Sequence, residues 1–173
     1  NNMHVFVFGL EIYKRYLKYT KNINLIADPK YHNKDILIKK SLLRRDYSKL
    51  RILYVGRIEK GKGLNFLLDS LSKINKLNFK LKIIGDGNLK RNLEKKTRMY
   101  NLEGKVTFRG FLPFGKELLN EYTKSNLFVM PSYSEGFPQV ILEAMARGLL
   151  VISTPVGGIK YIIDNNVNGL IFQ

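Results

Sequence analysis

From position 50 onward, short apolar runs alternate with helix-like segments, and this alternation constrains the fold more than any other feature. The runs fall at 51–55, 80–84, 106–108, 127–130 and 149–153, with one more at 168–172. Helical patterns lie at 63–74, 89–100, 116–124, 138–147 and 159–163. Strand and helix in turn require right-handed crossovers, hence a parallel α/β sheet of Rossmann-like type with helices on both faces. In such sheets ligands bind beyond the carboxyl ends of the strands, so the loops there should carry the unusual residues. They read GRIEKGKG, GDGN, GFLP, PSYSEGF and TPVGG. Glycine after a strand is also ordinary turn chemistry.

The richest stretch is PSYSEGFPQVILEAMARG, residues 131–148. Pro131, Ser132, Ser134 and Gly136 end a buried strand, Pro138 suits a first helical position, and Val140, Ile141, Leu142, Ala144, Met145 and Ala146 form an apolar helix face. The amides of Gly136, Phe137 and Gln139 then cluster at the positive end of the helix, a natural phosphate seat. Glu135 and Glu143 flank that seat. Carboxylates beside a phosphate make sense when they accept hydrogen bonds from hydroxyls, as acidic residues do with ribose, so the pair suggests a nucleotide or nucleotide sugar. The plainer reading is that Glu135 favours the helix dipole and Glu143 is a solvated helix residue.

GRIEKGKG matches GxxxxGK, the start of a phosphate-cradling loop, but Gly63 stands where that motif needs a Ser or Thr hydroxyl for magnesium, which argues against an ATPase. Two cations remain between strand and helix. Arg57 offers a forked donor and Lys62 a compact charge, both suited to a diphosphate, although either alone is also a common loop cation.

Composition sets outer bounds. The chain has 173 residues, 45% of them apolar, enough for one domain with a core. The absence of cysteine excludes disulfides and thiolate metal sites and fits a cytoplasmic location. No apolar run approaches the roughly 18 residues of a membrane span, and NNMHVFVFG lacks the features of a signal peptide. Net charge is +16, distributed as +7 over 1–50, +10 over 51–110 and −1 over 111–173. Such a surface suits polyphosphate ligands or anionic lipid headgroups, while Lys14, Lys18, Lys90, Lys95 and Lys96 read more simply as solvated helix faces. No basic stretch is interleaved with aromatics, so nucleic acid is not an expected partner.

Six ordered motifs, VGRIEKGKG, IIGDGNL, RGFLP, PSYSEGFPQVILEAMARG, VISTPVGG and NGLIF, carry a family resemblance. From about Leu50 to Phe172 the chain resembles the C-terminal, donor-binding domain of the family 4 (group 1) retaining glycosyltransferases of the GT-B fold. The resemblance implies transfer of a sugar, with retention, from a UDP-sugar or GDP-sugar to a saccharide or lipid-linked acceptor in cell-surface polysaccharide or glycolipid synthesis. Arg57 and Lys62 would bind the diphosphate and stabilise the leaving group. Glu135 would contact the donor sugar. Ser134, Gly136, Phe137 and Pro138 would line the sugar and phosphate region, and Glu143 would take the ribose hydroxyls. Gly56, the loop Gly85, Asp86 and Gly87, and the loop Gly110, Phe111 and Leu112 would line the nucleoside pocket.

No metal or other cofactor is expected, and the lack of any DxD triplet agrees with that. Residues 1–49 would be a remnant of the N-terminal domain and its linker, and 50–173 the nucleotide-sugar domain, truncated at its end and inactive without its other half. Within 1–49, a strand at 5–8, a helix at 11–19 and an apolar run at 36–38 are expected, and His4 and His32 match no motif. A cytoplasmic protein in peripheral contact with the inner face of an anionic membrane fits the charge. A non-catalytic nucleotide-sugar-binding module, or a GT-B relative such as an epimerase or phosphorylase, remains an alternative.

Overall fold

A computed structural model describes residues 5–7, 23–25 and 48–172 of the chain. Strands β1 (Val5–Val7) and β2 (Ile23–Leu25) pair in parallel, so the expected strand at 5–8 is present over 5–7, with residue 8 outside the described residues. The expected helix at 11–19, the apolar run at 36–38, His4, His32, Lys14 and Lys18 lie outside the described residues.

The second sheet has six parallel strands: β3 (Leu50–Val55), β4 (Phe79–Ile84), β5 (Val106–Gly110), β6 (Leu127–Met130), β7 (Leu150–Ser153) and β8 (Leu170–Ile171). Between them run helices α1 (Leu64–Lys73), α2 (Lys90–Met99), α3 (Lys116–Thr123) and α4 (Gln139–Ala146). The expected elements are present, with ends moved by a residue or two. One changes type: the expected helix at 159–163 is a 3-10 turn, Gly157–Tyr161. Two adjacent glycines at its start and a short span before the last strand leave no room for a full α-helix.

Alternation along each strand divides the core. On β3, Ile52 and Tyr54 join Leu64, Leu68, Leu71, Leu81 and Ile83 on the face covered by α1 and α2. Leu53 and Val55 join Ile84, Tyr122, Phe128, Ile141, Ala144 and Val151 on the face covered by α3 and α4. Burial on both faces is why the central strand β6 reads as an unbroken apolar run, LFVM, whereas β4 and β5 toward one edge alternate with lysine, threonine and arginine.

Strand order is β5-β4-β3-β6-β7-β8. The chain moves outward from β3 to β5, then α3 carries it back so that β6 lies on the other side of β3, with Ile52 opposite Leu127. Successive crossovers thus diverge from the carboxyl ends of β3 and β6, the topological switch point at which open α/β sheets form their ligand crevice. The loops leaving those two strands are GRIEKGKG and PSYSEGF.

Candidate donor-binding site

The two switch-point loops are locked together by backbone contacts. Gly63 caps α1 in the left-handed conformation (φ 67°), and a Cβ there would lie 1.8 Å from the Pro131 carbonyl oxygen. The residue that breaks the ATPase motif therefore stands at a position where a side chain cannot fit. The Tyr133 amide donates to the Gly61 carbonyl at 2.9 Å. Toward β4, the Ile58 amide donates to the Asp86 carbonyl and the Leu89 amide to the Ile58 carbonyl, joining GRIEKGKG to GDGN beyond the strands. On the other side, Gly158 N–H donates to the Gly136 carbonyl at 2.6 Å, and Gly157 (φ 55°) has room only for hydrogen beside the Glu135 carbonyl. Four of the five glycine-rich loops are thus bound edge to edge, and Gly85 N–H adds the fifth by donating to Gly110.

Lys62 Nζ meets Glu135 at 2.8 Å, with the two side chains 15% and 10% exposed. A cation from the loop after β3 and a carboxylate from the loop after β6 thus share a partly buried ion pair at the switch point. Arg57 is the contrasting cation: its side chain is 71% exposed and pairs with Glu59 at 3.2 Å. Beneath it, the fully buried Tyr54 hydroxyl donates to the Arg57 carbonyl at 2.9 Å. Burial, reinforced by the charge of Glu135, pushes the Tyr54 hydroxyl pKa well above its ordinary value, so it stays a protonated donor.

A cavity of about 280 Å³ opens beside this loop, lined by Gly56, Arg57, Gly85, Asp86, Phe111 and Leu112 together with the ends of β3 and β4. Its walls are residues that the sequence singles out, drawn from three separate loops. Phe111 is largely exposed at the rim. Asp86 accepts from the Gly87 amide at 2.8 Å, and Lys90 approaches it at 3.7 Å.

The β6–α4 stretch differs from expectation in two respects. Pro138 is the extended N-cap (φ −77°, ψ 100°) rather than the first helical residue, and α4 begins at Gln139. Two residues before Pro138 the Gly136 carbonyl is engaged by the Gly158 amide, and the chain stays extended one residue longer. Glu143 is not a solvated helix residue: it is 5% exposed and accepts a 2.7 Å hydrogen bond from Tyr122 Oη. A carboxylate has capacity for further donors beyond this one. Ser134, Gly136 and Phe137 sit in the loop just ahead of α4, with Ser134 and Gly136 exposed.

Tyr54 and Tyr122 are the site-supporting residues that the sequence reading passes over. Tyr54 interrupts an otherwise aliphatic strand end, ILYV, which is the available signal there, whereas Tyr122, between Glu121 and Thr123, offers none. Among the described residues, no group of three or more His, Cys, Asp or Glu lies together as a metal site, and no helix is long and apolar enough to cross a membrane.

Comparison with known proteins places this geometry in context. An uncharacterized glycosyltransferase of Methanocaldococcus jannaschii is 38% identical over 136 residues, which cover 78% of this chain and 34% of that protein. The lipopolysaccharide 1,6-galactosyltransferase of Escherichia coli is 34% identical over 125 residues, covering 70% of this chain and 34% of that protein. The chain thus spans about a third of the length of these relatives. An Anabaena protein solved with UDP and glucose superposes with a TM-score of 0.78 at 19% identity, over 98% of this chain and 49% of that one, and supports the GT-B type of fold. Residues 34–173 match the family described as glycosyl transferases group 1, and with four-fifths of its length inside that match the chain belongs to the group 1 glycosyltransferases.

Proposed function

We propose that this chain is the donor-binding half of a retaining glycosyltransferase that uses a nucleoside-diphosphate sugar. The observation that carries the reading is the Lys62–Glu135 pair at the switch point, beside a cavity walled by Gly56, Gly85, Asp86, Phe111 and Leu112. The nucleoside occupies the cavity, with backbone of the GDGN and GFLP loops against the base. The diphosphate lies between Arg57 and Lys62, which stabilise the charge that develops as the nucleoside diphosphate departs. Glu135 accepts hydrogen bonds from the donor sugar, and Glu143, oriented by Tyr122, accepts them from ribose hydroxyls.

The donor is a UDP-sugar or a GDP-sugar, and the cations required at the leaving group come from the protein without a metal. The acceptor is a saccharide or a lipid-linked saccharide, held largely by an N-terminal domain that closes over the donor. On this reading residues 1–49 are the end of that domain and its linker, and 50–173 form the nucleotide-sugar domain. The relative that acts in lipopolysaccharide synthesis supports a role in cell-surface polysaccharide or glycolipid assembly, on the cytoplasmic side of an anionic membrane that the basic surface meets.

A thermal-shift panel of UDP, GDP, ADP and their sugar conjugates tests the site. A nucleotide at a hundredfold excess over its Kd should stabilise the fold by about 2.7 kcal/mol. If no nucleoside diphosphate raises the melting temperature, the donor-binding reading fails.

A further inference from the structure

Lys62 and Glu135 stand 73 positions apart in sequence and are each other's partner at 2.8 Å, on the two loops that diverge at the switch point. Under the donor-binding reading, on which this inference rests, their tasks differ: Lys62 serves the diphosphate and Glu135 the sugar. We propose that Glu135 makes the site prefer the sugar-bearing donor over the bare nucleoside diphosphate, because its carboxylate competes with phosphate for Lys62 until sugar hydroxyls occupy it.

The chemistry of the two groups sets up this competition. An ammonium offers only donors and an ionised carboxylate only acceptors. A bare nucleoside diphosphate brings only acceptor oxygens to this end of the site. To be held by Lys62 it must share the ammonium with Glu135 and lie close to a like charge that gives it nothing in return. Like charges this close oppose each other strongly in a partly buried site, so the opposition is large enough to matter.

A nucleotide sugar changes the balance. Its hydroxyls are donors, they satisfy the Glu135 carboxylate, and Lys62 can then turn its charge to the diphosphate. The nearby Tyr54 hydroxyl does not take that part, since it donates to the Arg57 carbonyl at 2.9 Å. Close packing of Gly157 against the Glu135 backbone, which leaves no room for a Cβ, holds the carboxylate's loop in place. Once the sugar has moved to an acceptor its hydroxyls leave with it, Glu135 reclaims Lys62, and the nucleoside diphosphate is released more readily. One carboxylate therefore favours donor capture and product departure alike.

Titration calorimetry of UDP against UDP-glucose, and of GDP against GDP-mannose, tests this on the wild-type chain and on Glu135→Gln, Lys62→Met and the double variant. Glutamine keeps an acceptor for Lys62 and removes the charge. Glu135→Gln should bind the bare diphosphate about tenfold more tightly and its sugar conjugate about tenfold more weakly, inverting the wild-type preference, while Lys62→Met loses affinity for both. In the double variant the gain for bare diphosphate should vanish, because Lys62 is what Glu135 withholds. Should Glu135→Gln fail to fold, Glu135→Asp, which draws the charge back by one methylene, should tighten the bare diphosphate about threefold. Wild-type binding of a nucleoside diphosphate that the Glu135 variants leave unchanged or weaken overturns this inference alone. A wild-type chain that binds no nucleoside diphosphate overturns the donor-binding reading and this inference with it.

Discussion

The two ends of the large sheet both carry lysines and arginines, but they use them differently. At the amino ends of the strands, Arg51 Nε donates to the Lys124 carbonyl at 2.7 Å, Lys80 to the Gly104 carbonyl, and Lys105 to the carbonyls of Asn75 and Leu77, while Lys82 pairs with Glu121. In an α/β fold the helices end at this edge, so their last carbonyls gather there, and cations satisfy both those carbonyls and the negative ends of the helix dipoles. A groove of about 790 Å³ lined by Lys49, Arg51, Lys80, Lys82 and Lys124 looks like an anion site by charge alone. Of those cations, Arg51 and Lys80 already serve backbone carbonyls, and Lys82 is paired with Glu121.

At the carboxyl ends Lys62 meets Glu135 and Arg57 meets Glu59, whereas at the amino edge Arg51, Lys80 and Lys105 meet backbone carbonyls and Lys82 is the exception. Glu135 and Glu59 are partners that a ligand can exchange. A count of basic residues, which is higher in 51–110 than elsewhere, does not separate the two edges; the identity of each cation's partner does.

Glycine substitution should break this contrast most visibly. Gly157→Ala would drive a Cβ to 1.7 Å from the Glu135 carbonyl at a φ of 55°, whereas a Cβ on Gly104, at the opposite edge, meets nothing within 4 Å. Thermal denaturation should show a loss of about 2–4 kcal/mol for Gly157→Ala and a change within about 0.5 kcal/mol for Gly104→Ala. Equal losses would mean that the glycines of the binding edge are only turn residues. Tyr122→Phe comes next. It strips the buried Glu143 carboxylate of a 2.7 Å donor and should cost about 1–3 kcal/mol, and on the donor-binding reading it should also weaken UDP or GDP. Stability loss with unchanged nucleotide affinity would confine Glu143 to the core.

Lys105→Met sharpens the contrast from the other side. Two carbonyls lose a donor, so chemical denaturation should report about 0.5–1.5 kcal/mol of destabilisation, while calorimetry finds nucleotide affinity within about twofold of wild type. A larger drop in affinity would move part of the ligand site to the amino edge.

Much of this layout is legible in the sequence, because local chemistry dictates it. Strand β6 is bounded as expected at 127–130, since Pro131 ends an apolar run that both faces of the sheet bury. Every strand-following loop is at the same edge, since all six strands of the sheet run parallel. What the sequence leaves out is pairing across space. Nothing within reach of Lys62 along the chain points to Glu135, 73 positions away, and nothing near Glu143 points to Tyr122 on a different helix. Lys96 makes the same point: at helical spacing it reads as a solvated cation, yet it bonds Asp69 on α1 at 2.8 Å. The one-residue shift at Pro138 arises likewise from the neighbouring TPVGG loop, whose Gly158 amide engages the Gly136 carbonyl.

The Asp69–Lys96–Tyr100 cluster supplies the smallest expected effect and lies between the two edges, where α1 and α2 touch. Lys96 Nζ and, at 2.5 Å, Tyr100 Oη both donate to the Asp69 carboxylate. The Lys96 hydrogen bond first, and that from Tyr100 second, hold the Asp69 pKa below its ordinary value, while accepting from Tyr100 in turn raises the phenol's pKa above its own. A depressed carboxylate stabilises the fold above its unfolded pKa, and that contribution is lost as pH falls through the folded value, which puts the acid limb below about pH 4. A raised phenol acts in the opposite sense, contributing fully below about pH 10 and fading as pH rises through the folded value. Asp69→Asn should therefore flatten both limbs of a plot of melting temperature against pH, whereas Tyr100→Phe should abolish the alkaline limb and only weaken the acid one. The cluster is partly exposed, so added salt should shrink both effects. Neither variant should alter nucleotide affinity, because the cluster joins helices on one flank of the sheet and touches neither switch-point loop; a change there would show that α1 and α2 transmit their packing to the binding edge.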